Sequence, residues 1–143
     1  MWNQLIAAEG ERIKFNPPLS EEWIDKGLAD LDVQLNDSLK SLLLETNGVY
    51  DFRIFLWIVW NVRDLAAYNQ QMWTDNKFTQ QGMKLADLFF IANAGNDGIL
   101  FAFPIVNKKL QDNLVTWNPS NNSRTQKSPD LQTYLKRWVS QNK

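Results

Sequence analysis

Phe89 to Phe103 reads FFIANAGNDGILFAF. Two apolar runs flank Asn93-Ala94-Gly95-Asn96-Asp97-Gly98. Runs rich in Phe and Ile, bounded by Asn, Asp and Gly, spell two paired strands with a turn between them. Gly has no Cβ and Asn tolerates the left-handed region, so this turn has residues suited to positive φ. A hairpin this apolar fixes a sheet at the centre of the domain.

Other elements follow on both sides. Ser20 is a good N-cap, with Leu19 and Ile24 at the two positions of a hydrophobic staple. Trp23, Ile24, Leu28 and Leu31 continue at helical spacing, which predicts a helix over about Glu21 to Asp30. A second helix begins near Asn36-Asp37-Ser38, carries Leu39, Leu42, Leu43 and Leu44, and ends at Asn47-Gly48. Arg53 to Trp60, RIFLWIVW, is apolar at alternate and intervening positions, which predicts a central strand covered on both sides. Trp57 and Trp60 then belong to the core. An open face on that strand would instead expose Phe55 and Trp57 as an interaction patch. Val62 to Trp73 has helical spacing, and Thr74 to Gly82 reads as a polar loop.

Leu114 to Trp117 reads as a short strand and Asn118 to Lys127 as an aperiodic polar loop. Ser128-Pro129-Asp130 supplies an N-cap, a first-turn proline and an acid for a closing helix. Its apolar stripe is Leu131, Tyr134, Leu135, Trp138 and Val139, with Lys136, Arg137 and Lys143 toward its C-terminus. The order is two helices, strands with one inserted helix, then a closing helix. This is an α+β single domain over residues 1–143: a mostly antiparallel sheet packed with N-terminal helices and a closing C-terminal helix. Residues 1–18 read as an arm ending in Pro17-Pro18, and residues 20–139 as the core.

Composition narrows the chemistry. The 143 residues include neither Cys nor His. Disulfides, thiolate nucleophiles, zinc ribbons and histidine bases are therefore excluded. The sequence places no carboxylate pair across a cleft and has no phosphate-binding glycine loop and no nucleophile elbow. The Asn93–Gly98 segment lacks the acids of a calcium loop. A non-catalytic chain without cofactor or metal is expected. Met1 to Gly10 lacks a basic start and a long apolar run, and Ile54 to Trp60 is too short to span a bilayer, so a cytoplasmic protein without membrane contact is expected.

Charge is segregated although the net value is only −1. Ser20 to Asp37 holds six acids (Glu21, Glu22, Asp25, Asp30, Asp32, Asp37) against Lys26, a net of −5. Lys108 to Lys143 holds seven bases against Asp112 and Asp130, a net of +5. The bases are dispersed and match no nucleic-acid module, so nucleic acid is not an expected partner.

Leu31 to Gly48, LDVQLNDSLKSLLLETNG, and Leu88 to Phe103, followed by Val115-Thr116-Trp117 and the Leu131–Leu135–Trp138 helix, resemble the SUKH superfamily in order and content. This family is also described as cell-wall assembly and cell-proliferation coordinating proteins. The likeness covers about Ser20 to Val139. Asp32 stands where the family often has Gly, and Asn36 where it often has Pro. The resemblance implies a protein-binding module without catalytic residues. Many bacterial members look like immunity proteins against secreted or contact-delivered toxins, often nucleases; eukaryotic relatives act as scaffolds in cell-wall regulation. A small-molecule-binding domain using the aromatic-rich sheet is a third expectation.

Three groups of residues are candidate partner contacts. Glu21, Glu22 and Asp25 would complement a basic toxin surface. Tyr50 and Asp51 place an aromatic beside an acid after the helix-ending Gly48. Asn93, Asn96 and Asp97 occupy the hairpin turn, where backbone demands alone also select such residues.

Overall fold

The structure, a computed structural model, describes residues 2–6 and 12–141. Its elements are α1 (Trp2–Ile6), β1 (Ile13–Phe15), α2 (Glu21–Leu28), α3 (Asp37–Glu45), β2 (Val49–Asp51), β3 (Leu56–Val59), α4 (Val62–Thr74), α5 (Asn76–Gln80), β4 (Leu88–Asn93), β5 (Leu100–Val106), β6 (Lys109–Leu110), β7 (Leu114–Asn118), β8 (Ser123–Ser128) and α6 (Leu131–Gln141). The strands make two antiparallel sheets, β1-β2-β3 and β4-β5-β7-β8, with β6 paired to β5.

The Phe89–Phe103 hairpin forms as its sequence dictates. Leu88 through Ala92 and Leu100 through Phe103 are all buried, because the sheet is covered on both faces. On one face Phe101 packs edge-on against Tyr134 of α6. On the other, Phe90 and Phe78 pack edge-on against Trp117. The Tyr134 hydroxyl donates to Ile58 O at 2.8 Å, and burial pushes that hydroxyl's pKa far up.

The outer edge of β4 is sealed by α4. Trp73 Nε1 donates to Leu88 O (2.7 Å), and the Asn69 side chain pairs with both backbone groups of Phe90. A bulge leaves Ile91 out of the β4–β5 pairing, and its carbonyl accepts from Trp60 N–H (2.8 Å). This bond joins the end of β3 to the larger sheet.

Several expectations change. Arg53 to Trp60 is not a central strand. Residues 52–55 turn, the strand is Leu56–Val59, and it lies at the end of the smaller sheet. Phe55, at φ +57°, breaks the extended run that the alternation suggested. Trp23 is not part of the buried stripe of α2 but 64% exposed, and Leu44 is exposed as well. Within the expected loop Thr74 to Gly82, Asp75 caps the short helix α5 by accepting from Lys77 N–H. The expected loop Asn118 to Lys127 contains all of β8 but Ser128, and β8 pairs with β7. Asp130, not Ser128, caps α6: its carboxylate accepts from Thr133 N–H at 2.7 Å. The stripe Leu131, Tyr134, Leu135, Trp138 and Val139 is buried as expected. Lys143 lies outside the described residues. The expected arm supplies α1 and β1; Trp2 is buried and donates through Nε1 to Ser41 Oγ (2.8 Å).

Candidate protein-binding surface

The acids of α2 stand in its first two turns and are exposed. Their charge is partly answered by bases elsewhere. Lys40 Nζ lies 2.6 Å from Glu21 Oε1, and Lys108 Nζ lies 2.7 Å from Asp32 Oδ2. Counting these two bases changes the net of the segment from −5 to −3. The hydrogen bond from Lys40 holds the Glu21 carboxyl below its usual range and raises the ammonium in turn. Glu22 pairs with Lys26 one turn on, at 3.2 Å. Asp25 forms no ion pair among the described residues and borders an open cleft of about 530 Å³ with Asp32, Asp37, Lys40 and Lys108.

The Tyr50–Asp51 pair separates. Tyr50 is half-buried, its ring edge-on to Phe52 (4.9 Å) and Trp57 (5.2 Å). Asp51 is a correction to the expected contact set: it is fully buried and faces inward. Trp138 Nε1 donates to it at 2.9 Å, Arg53 N–H at 2.9 Å, and Arg12 Nη2 lies 3.5 Å away. A buried carboxylate is tolerated only with such partners. Asp51 therefore ties β2 to α6 and has no surface to offer.

In the β4–β5 turn, Asn93 serves the backbone: its side chain accepts from Gly95 N–H at 2.6 Å. Ala94 N–H donates to Ile99 O, and Ile99 N–H donates to Asn96 O. Gly95, Asp97 and Gly98 have φ of +92°, +57° and +70°. The side chains of Asn96 and Asp97 are exposed. A Cβ on Gly95 would stand 2.9 Å from Leu56 Cδ1, so the turn lies against the β2–β3 hairpin. Two of the three candidate groups, around Tyr50 and around Asn96, thus meet at one end of the molecule.

The largest feature of that end follows the alternative reading of Arg53 to Trp60, in which Phe55 is exposed, although Trp57 is half-buried. Phe55 is 74% and Phe52 44% exposed, beside half-buried Tyr50, Leu56 and Trp57. Lys14 Nζ stands 5.9 Å from the Phe52 ring centre. The alternation of RIFLWIVW assigned Phe55 to a covered face, and no residue nearby signals the left-handed turn that turns it outward. Among the described residues no helix is long and apolar enough to cross a membrane, and no group of three or more Asp, Glu, His or Cys is arranged to hold a metal.

Residues 18–137 match the model of the SMI1 / KNR4 family (SUKH-1). The chain belongs to the SUKH-1 family. No curated protein matches it.

Membership gives physical meaning to the motif positions. In this SUKH-1 protein the Asn-Gly after α3 does more than stop a helix. Asn47 Oδ1 accepts from Val62 N–H at 2.8 Å, fixing the start of α4. Gly48 has φ +92°, and a Cβ there would stand 2.8 Å from Asn61 N. Asp32, where SUKH proteins often have Gly, adopts φ +51°, a left-handed conformation that Asp tolerates better than most residues. Asn36, where they often have Pro, caps α3 by accepting from Leu39 N–H (2.8 Å) and donates to Gln111 O (2.8 Å).

Proposed function

We propose that this SUKH-1 protein is a non-catalytic binding domain that neutralises a cognate bacterial toxin, such as a nuclease, by tight one-to-one association in the cytoplasm. The observation that carries the protein-binding part is the family match over residues 18–137 joined to an exposed aromatic end built on a rigid sheet. Contiguous exposed apolar side chains are costly in a lone soluble domain and mark contact surfaces. The toxin part rests on the many SUKH proteins that look like immunity proteins. The acids of α2 favour a partner with a basic face, since complementary charge raises the association rate and fixes register.

The test is capture of partners with the tagged full chain in its native host, followed by co-expression. The proposal predicts one stoichiometric partner that stops growth alone and is silenced by this chain. Several substoichiometric partners with no effect on growth would replace it with a regulatory scaffold role.

A further inference from the structure

We propose that the β2–β3 hairpin end is the anchor of the interface and that it enters an apolar socket rimmed by aspartate and glutamate on the partner protein. The inference rests on the protein-binding reading above and adds the location and chemistry of the contact.

Phe55 carries the argument. A bulky side chain at positive φ is a strained outlier. Such strain is ordinarily offset by packing, yet Phe55 is 74% exposed, the most exposed of the large apolar side chains described. The strained backbone therefore gains little inside this domain and instead holds an aromatic ring out to solvent. Phe52 beside it is held by Tyr50, and Tyr50 by Trp57, through edge-on ring contacts. A platform ordered before binding loses little conformational entropy when a partner arrives. Large aromatic anchors seated in pockets dominate most protein interfaces.

Charge selects the partner. The exposed charged side chain of the hairpin is Arg53, and Lys14 on the adjoining strand stands over Phe52. The hairpin's one carboxylate, Asp51, is buried and engaged by Trp138 and Arg12. The hairpin thus offers cations around its aromatics, while Asp97 belongs to the neighbouring turn. The complementary surface is apolar with an acidic rim. This contact differs in sign from the one expected of the α2 acids, so the domain would present two oppositely charged faces to its surroundings.

The probes are two synthetic amphipathic helical peptides, one of leucine and glutamate, the other of leucine and lysine. The full chain is labelled with fluorophenylalanine, and the Phe52 and Phe55 fluorine resonances are assigned with Phe52→Leu and Phe55→Leu. The inference predicts that the glutamate peptide shifts both resonances saturably and that the lysine peptide does not. Phe55→Ala should weaken the glutamate peptide at least about tenfold, as expected for a hot-spot anchor. Arg53→Glu should lower the preference for glutamate over lysine, a change that a purely structural role would not produce. Absence of a saturable shift, equal response to both peptides, or undiminished binding by Phe55→Ala would overturn it. The growth assay separates the two levels. If the unmodified chain protects cells and Phe55→Ala protects equally, this inference fails while the toxin reading stands. If the unmodified chain protects nothing, the toxin reading fails, and the peptide titration still decides the surface.

Discussion

Asn69 and Phe90 form a two-point backbone mimic at the centre of the domain. Phe90 N–H donates to Asn69 Oδ1 at 2.7 Å, and Asn69 Nδ2 donates to Phe90 O at 2.9 Å. The same Nδ2 also reaches Leu65 O at 2.8 Å. Both residues are fully buried. One side-chain amide thus replaces one residue of a neighbouring strand and lets α4 cover the edge of β4.

Removal of that amide strands two buried backbone groups. Each unsatisfied group costs about 1–3 kcal/mol, so Asn69→Leu should lower unfolding free energy by roughly 3 kcal/mol. Urea denaturation measures this directly. A loss below about 1 kcal/mol would show that water or a shifted backbone serves Phe90 equally well.

Gly48→Ala should be nearly as costly. The position needs φ +92°, and its Cβ would meet Asn61 N at 2.8 Å, backbone that cannot swing aside. Left-handed strain and overpacking together predict about 3 kcal/mol of destabilisation. A melting temperature within a degree or two of the unmodified chain would contradict the placement of α4 against this turn.

Asp130 gives a pH-dependent prediction. The hydrogen bond from Thr133 N–H holds its carboxyl below the ordinary 3.8. A depressed folded pKa contributes stability that is fully present above the unfolded value and is lost as pH falls through the folded one. Asp130→Ala should therefore cost about 1 kcal/mol near neutral pH, the usual value of an N-cap. The difference between the two chains should shrink as pH drops below 3.8, as followed by denaturation at several pH values. A constant difference across that range would remove the carboxylate from the account.

Phe55→Gly should raise the melting temperature. Glycine adopts φ +57° without strain, and little burial is lost from a 74% exposed ring. The expected gain is about 1 kcal/mol. A destabilised variant would mean that Phe55 supports the fold rather than a contact.

Reversal of the α2 charges probes the other face. Glu21→Lys, Glu22→Lys and Asp25→Lys together should slow association with a basic partner by about tenfold at low salt, and the effect should fade as salt screens it. Stopped-flow mixing measures the rate. An unchanged rate would move the contact elsewhere.

The sequence was most legible where burial is one-sided or complete. The β4–β5 hairpin, α3 and the stripe of α6 follow from periodicity and caps, because those patterns are set by the same packing that the structure shows. Legibility failed where a local pattern competes with long-range contacts. Residues 53–60 read as one strand, since nothing in the residue types announces a left-handed Phe55. Ser123 to Lys127 looked like loop because an edge strand with a wet face needs few apolar residues; its partner β7 makes it a strand. Asp51 looked like a contact residue because its engagement by Trp138, 87 positions away, cannot be read from its neighbours. Trp23 fits a helical stripe by spacing, yet it lies at the margin of that stripe, where a small rotation of α2 decides between core and solvent.

The most direct test of the account is calorimetric titration of the purified full chain into the partner protein captured with it. The account predicts one-to-one binding with a Kd in the nanomolar range or tighter, typical of stable protein complexes. Absence of heat, or several weak sites without a defined stoichiometry, would contradict it.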